Sequence, residues 1–374
     1  MTYKLDPEEM HIFQKLLVGT WSNDACKSGL PDGPYSCNVM PLPQEEKEPL
    51  YDGDHHGFIL KNFKYTEEIS FHGDMSSTEK EALNKNKNEN KTSNSKPMLP
   101  SAEVVATPGG APNRGSDRRQ VAEALFYDQV AKFAEGPGVG GIVHLENGAW
   151  LHLVYTEAAL GPYPNPDGKT PLTPKMRPEG APSYAKQISV PHGNSVLAIG
   201  SYNGYSAGAP KIPKWSSFPN EIDIQRYSDP LSYMKEPYND RKKNDYENPE
   251  PKLTEDPLSP LREAIEKLGV RRYHHLMVST RDEYLGFSGS VTNIPFENRM
   301  AEAIDYEAQY WIMSTKGETD AAEEEEFNYL AYFQNMTLRL KIGERDVLFP
   351  HITANVIGRV GAETNSGGNP RNTS

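Results

Sequence analysis

The sequence predicts a mainly β protein: a single antiparallel, up-and-down barrel of about ten strands, with a short N-terminal helix and long loop insertions. Three observations carry that expectation. Strand-like runs rich in β-branched and aromatic residues recur without the intervening helices that a parallel sheet needs. Only 36% of the 374 residues are hydrophobic, mean hydropathy is -0.70, and there are 31 prolines and 30 glycines, so much of the chain must be connection. The segment 328–360 reads NYLAYFQNMTLRLKIGERDVLFPHITANVIGRV, two alternating runs about a turn at Gly343, as a closing hairpin would. In its second run His351, Thr353, Asn355 and Ile357 share one face, and Ile352, Ala354, Val356 and Gly358 the other.

At the N-terminus, Asp6-Pro7-Glu8-Glu9 is a helix start, and Met10, Phe13, Leu16 and Leu17 follow at helical spacing before Gly19. A short helix that delivers Gly19-Thr20-Trp21 onto a first strand resembles the entry of the calycin barrels, whose helix plugs one end. Residues 22–55 read as a long loop, and FILKNFKYTEEISF as one bent strand. The low-complexity segment 73–118 is too polar to bury itself and is expected to be a mobile insertion. A strand follows over 121–133. IVHLENGAWLHLV then reads as two strands about the hairpin dipeptide Asn147-Gly148. After a second proline-rich loop (161–182), YAKQISVPHGNSVLAIG gives two apolar runs broken at Pro191-His192-Gly193-Asn194, the mark of a bulge or kink. Residues 201–270 are a Pro/Tyr-rich loop ending in a short helix stopped by Gly269, and the expectation is that they lie over the barrel mouth. Further strands are expected over 273–280, 284–294 and 307–315, and a disordered tail over 361–374. One domain, 1–374, holds all of this.

The formal charge of -13 argues against nucleic acid or an anionic membrane as partner. No apolar run approaches the roughly 18 residues of a membrane span. MTYKLDPEEMHIF has no apolar core of a secretory signal, so a cytoplasmic location is expected. Cys26 and Cys37 are then thiols, able to bridge only in an exported protein. No phosphate loop, zinc spacing or nucleophile elbow is present.

Four segments in order, LLVGTWSND, FILKNFKYTEEISFHG, IVHLENGAWLHL and DVLFPHITANVIGRV, resemble the nitrobindins, ten-stranded calycin-type barrels that hold heme b. NIPFENRMAEAIDYEAQYWI fits the strand pair before the last. The resemblance implies heme b (iron protoporphyrin IX) as cofactor and His351 as the axial iron ligand. It puts Ile59 at a heme-contacting position where the family has threonine, and it gives Gly19, Trp21, His144 and Glu146 structural roles. The chain departs from the family in GTWSND, which truncates Gly-x-Trp-x-Gly-x-Gly, and in its much greater length.

The catalytic candidate is His192, held beside Gly193 at the Pro-Gly break, with Gly193 counted among the cofactor contacts. Opposite His351 it would take a proton from bound peroxide and return it to the leaving oxygen. It could instead bind iron directly, or cap backbone groups at a kink. Arg339, with Arg281, Arg299 and Arg359, is a candidate for pairing the heme propionates, and Arg359 equally for a surface position or packing on Trp21. The expected function is a heme b-dependent, peroxidase-like oxidation or rearrangement of a small organic molecule under the 201–257 loop, with peroxide as cosubstrate. Two alternatives stand beside it: a nitric oxide or peroxynitrite scavenger, and a heme-free calycin barrel that binds an apolar ligand.

Overall fold

The structure, a computed structural model, describes residues 11–43, 58–72, 122–134, 138–153, 182–190, 193–217, 256–281, 283–284, 287–293, 301–317, 327–342 and 345–361. Helix α1 (Ile12–Leu17) leads into β1 (Gly19–Ser22), then β2 (Cys37–Pro43), β3 (Phe58–Phe63), β4 (Tyr65–His72), β5 (Ala122–Phe133) and β6 (Ile142–Leu153). β7 (Tyr184–Val190), β8 (Asn194–Ala207), helix α2 (Ser259–Leu268) and β9 (Arg272–Ser279) follow. The short β10 (Glu283–Tyr284), β11 (Phe287–Ser288) and β12 (Ser290–Asn293) precede the long β13 (Ala301–Ser314), β14 (Tyr329–Ile342) and β15 (Arg345–Arg359).

Ten strands close a ring in the order β1-β4-β5-β6-β7-β8-β9-β13-β14-β15, every pair antiparallel, and Trp21 opposite Arg359 joins the last strand to the first. β15 has two partners along one edge. Its last residues pair with β1, whereas Ile352–Ala354 pair with β2, which carries β3 outside the ring. Helix α1 fills one end: Phe13, Leu16 and Leu17 are buried with Trp21, Trp150 and Ile357 in the inner core.

Several elements differ from the sequence reading. β6 is one continuous strand through Asn147 and Gly148, because β5 and β7 pair with it on both sides. Gly148 serves close approach there: a Cβ would lie 2.0 Å from the Gln187 carbonyl oxygen. The Pro191–Asn194 break is the end of a hairpin, not a kink within a strand. Val190 pairs with Asn194, and Gly193, at φ +87°, donates its N–H to the Val190 carbonyl at 3.1 Å. Residues 201–207 continue β8, and β2 lies inside the stretch read as loop. Helix α2 packs on the outer wall instead of over an opening. Its apolar stripe, Leu261, Ala264 and Ile265, needs an apolar partner and finds it on Phe333, Ile352 and Val356. The expected insertion 73–118 and tail 362–374 lie outside the described residues.

The two ends of the barrel are unlike. At the α1 end the chain leaves and re-enters through the long connections 73–121, 154–183 and 208–271. At the opposite end, the mouth, strands are joined by residue 64, by 134–141, 191–193 and 343–344, and by the segment 280–300 that carries β10 to β12.

Candidate functional site

His351 stands near the mouth. Strict alternation along β15 places it on the inward face with Asn355 and Ile357, and Met336 of β14 lies opposite. Its Nδ1 is 2.9 Å from the Val39 carbonyl oxygen of β2. A carbonyl only accepts, so Nδ1 carries the proton and the neutral ring has its lone pair on Nε2. Across the mouth Ile188, Val190, Val196 and Ala198 of β7 and β8 are buried, and Asn194, on the same phase, donates to Asn293 Oδ1 at 2.7 Å.

Beneath the mouth is a layer of buried polar groups. The ammonium of Lys186, on the inward phase of β7, has no exposure to solvent. It lies 3.1 Å from Glu146 Oε1, 2.9 Å from Tyr306 Oη, 2.8 Å from Tyr310 Oη and 2.6 Å from Gln334 Oε1. Burial pulls the pKa of Lys186 down, and the carboxylate of Glu146 beside it opposes that fall. Burial alone would raise the carboxyl of Glu146, but Lys186, His144 and Tyr127 outweigh it and hold the group at about 2. Tyr127 donates to Glu146 Oε1 at 2.5 Å, and His144 Nε2 lies 3.4 Å from Oε2. A second buried carboxylate, Glu67, accepts from Tyr332, Gln129 and Asn355 at 2.6–2.7 Å. No cation among the described residues is hydrogen-bonded to it; burial raises it to about 7 against the pull of those hydrogen bonds.

The residues singled out in the sequence are not all brought together. His192 and Arg299 lie outside the described residues. Gly193 is at the mouth, at the end of the β7–β8 hairpin. β7 stands five places from β15 in the ring of ten, so that hairpin rises across the mouth from His351. Ile59 lies on β3 opposite Leu42, outside the ring. Arg339 falls on the outer phase of β14, three residues from the inward Met336, and its Nε donates to Glu302 Oε2 at 3.1 Å. Arg281 donates to Asp305 at 2.6 Å and Thr337 at 2.8 Å, so these two candidates for propionate pairing already have partners. Arg359, the third described candidate for the propionates, packs on Trp21 instead, as another of its readings had it. Its guanidinium lies 4.3 Å from that ring and donates to the Val18 carbonyl at 2.6 Å and to that of Leu16. Cys26 and Cys37 are buried free thiols, pushed up to about 12 by burial. No helix among the described residues is long and apolar enough to cross a membrane.

Sequence reasoning missed Lys186 and Glu67 and gave Glu146 only a structural role. The available signal was phase: Lys186 alternates with the apolar Tyr184, Ile188 and Val190, as an inward residue does.

A scan against family models and a search of curated proteins give no match. Among solved structures the chain is similar to the one titled "Crystal Structure of Rv2717c from M. tuberculosis", at 12% identity over 92% of each chain and a TM-score of 0.32. The barrel assignment rests on the strand pairing, not on that likeness.

Proposed function

We propose that the mouth of the barrel holds heme b on His351 and that the protein is a heme-dependent, peroxidase-like enzyme of the nitrobindin type. The observation that carries the reading is the Nδ1–Val39 hydrogen bond, which orients an inward histidine and leaves Nε2 as the basic nitrogen. The surroundings fit the group in part. The apolar wall of Ile188, Val190 and Val196 suits a porphyrin face, and the filled polar layer below keeps any such ligand at the mouth. Arg281 and Arg339 are already paired, so the propionates would face water or other residues. Heme bound here would supply an iron that activates peroxide or another small oxidant. The chain would supply the axial nitrogen, the apolar wall and, from His192 on the opposite hairpin, an acid–base group. A small organic molecule, the reductant or the species rearranged, would approach from the open side.

One observation favours a second reading. The long connections 73–121 and 208–271 join strand ends at the α1 end, away from His351. Anchored at the far end, they leave the strand ends around His351 to be joined by other segments, which suits turnover of a small oxidant such as peroxynitrite. Titration with hemin tests both. The wild type should give a Soret band that His351→Ala abolishes, and His192→Ala should keep the band while losing turnover of peroxide. A band unchanged in His351→Ala would end the axial-ligand reading. Turnover that survives His192→Ala would favour the scavenger.

A further inference from the structure

We propose that helix α1 is a pH-released plug: neutral His11 latches it into its end of the barrel, and protonation of His11 frees it. α1 has only six residues, Ile12–Leu17, too few to hold a helical form without help from its surroundings. Phe13, Leu16 and Leu17 supply burial, and side chains hold both ends of the helix. At its C-terminal end Arg359 donates to the carbonyls of Leu16 and Val18. At its N-terminal end His11 is the cap: its Nδ1 accepts from the Phe13 N–H at 3.3 Å. Tyr184 Oη lies 2.6 Å from the same nitrogen.

A backbone N–H only donates, so Nδ1 of His11 carries a lone pair and no proton, and the Tyr184 hydroxyl donates to it as well. The His11 ring lies against β6, β7 and β8. Its centroid is 4.5 Å from that of His152, 5.4 Å from Tyr184 and 4.9 Å from Tyr202. Tyr202 Oη is in turn 2.5 Å from His274 Nδ1 on β9. Among the described residues, the titratable and charged groups around the latch are Lys15 one turn along α1, His152 of β6, Tyr184 of β7, Tyr202 of β8 and, beyond Tyr202, His274 with Arg272 on β9. Burial and Arg272 hold His274 down at about 4, so it stays neutral through the range in which an ordinary histidine titrates. Protonating His11 at Nδ1 replaces its lone pair by a donor. The Tyr184 hydroxyl can turn and accept, but the Phe13 N–H cannot, and a cation then stands at the positive end of the helix. This consequence follows from Nδ1 alone, whatever Nε2 touches.

Amide hydrogen exchange tests the plug without any ligand. The Lys15 and Val18 amides, each bonded at 3.1 Å to the carbonyls of His11 and Gln14, report on α1, and amides of β14 serve as the internal reference. Loss of a capping bond is worth about fivefold in the open population. A freed histidine titrates near 6.5, so at about pH 5.5 protonation weakens the latch by about tenfold at most. The latch is therefore fully present well above pH 6.5 and is lost as pH falls below it. Protection of the two α1 amides, corrected for the intrinsic pH dependence of exchange and taken relative to β14, should fall about fivefold between about pH 7.5 and pH 5.5. His11→Asn keeps a capping acceptor that does not titrate, and in that variant the fall should vanish. His11→Ala should show low protection at both pH values. Equal falls in wild type and His11→Asn, or no fall in the wild type, would overturn the proposal. Nitrogen-15 NMR at about pH 7.5 should find His11 protonated at Nε2, and a neutral ring protonated at Nδ1 would refute the latch.

Discussion

Replacing Lys186 by methionine separates the buried charge pair from mere packing. Methionine keeps much of the side-chain volume among the Trp150, Tyr306 and Tyr310 rings, so what is lost is the charge and its hydrogen bonds. In the wild type Glu146 is held at about 2, below its ordinary 4.5, a difference worth about 3 kcal/mol. That contribution is present above pH 4.5 and is lost as pH falls toward 2. In Lys186→Met burial is opposed only by His144 and Tyr127, and the carboxyl is expected to rise above 4.5. The folded chain then keeps a proton that the unfolded chain releases, so stability falls as pH rises and the slope changes sign. Breaking a fully buried pair costs about 3–5 kcal/mol. Against a domain stability of about 5–15 kcal/mol this is readily seen in urea unfolding. The variant should lose about 3 kcal/mol relative to wild type at pH 8 and less at pH 5, and Lys186→Met/Glu146→Gln should recover part of the loss. A single variant within about 0.5 kcal/mol of wild type at both pH values, near the size of an ordinary surface substitution, would refute the buried pair.

Three further outcomes are expected. Glu67 is raised to about 7, so the stability of its neutral form is present below pH 4.5 and lost as pH rises through 7. Glu67→Gln should be close to wild type at pH 5 and up to about 3 kcal/mol more stable at pH 8, as compared by urea unfolding. Arg359→Lys keeps the charge but loses the planar fork over Trp21 and the bonds to the end of α1. It should cost about 1–2 kcal/mol, read from the thermal midpoint, with a changed tryptophan emission if the ring is freed. Gly148→Ala drives a methyl into the Gln187 carbonyl, so a loss of about 3 kcal/mol or failure to fold should follow; a soluble variant of normal stability would contradict the β6–β7 register.

The barrel was legible because inward and outward residues alternate, and that signal survives without knowledge of partners. The left-handed Gly269 after α2 was legible for an equally local reason, whereas the packing of Arg359 on Trp21 came from the resemblance to calycin barrels. Asn147-Gly148 misled because the hairpin preference of that dipeptide is local, while β5 and β7 pair straight through it. β2 was hidden by Pro41 and Pro43. These residues lie beyond Cys37–Val39, the part that pairs with β15, where a missing N–H costs nothing on that edge. The outward turn of Arg339 follows from the β14–β15 register, which the sequence does not print. The site beneath the mouth was hidden for the same reason. Lys186 and Glu146 are forty residues apart, and only the pairing of β6 with β7 makes them neighbours.

The unequal ends of the barrel bear on how such a chain changes over time. Segments joined at the α1 end can lengthen, shorten or be exchanged at a cost that grows only slowly with their length. Apart from the segment 280–300, the rim that carries His351 is bound by shorter turns whose lengths set strand register, and one added residue in such a turn would reverse the facing of every side chain beyond it. Variation is thereby channelled to one pole and withheld from the other. A trimmed chain, lacking the three long connections but keeping every rim turn, is a natural minimal scaffold for the chemistry of the mouth.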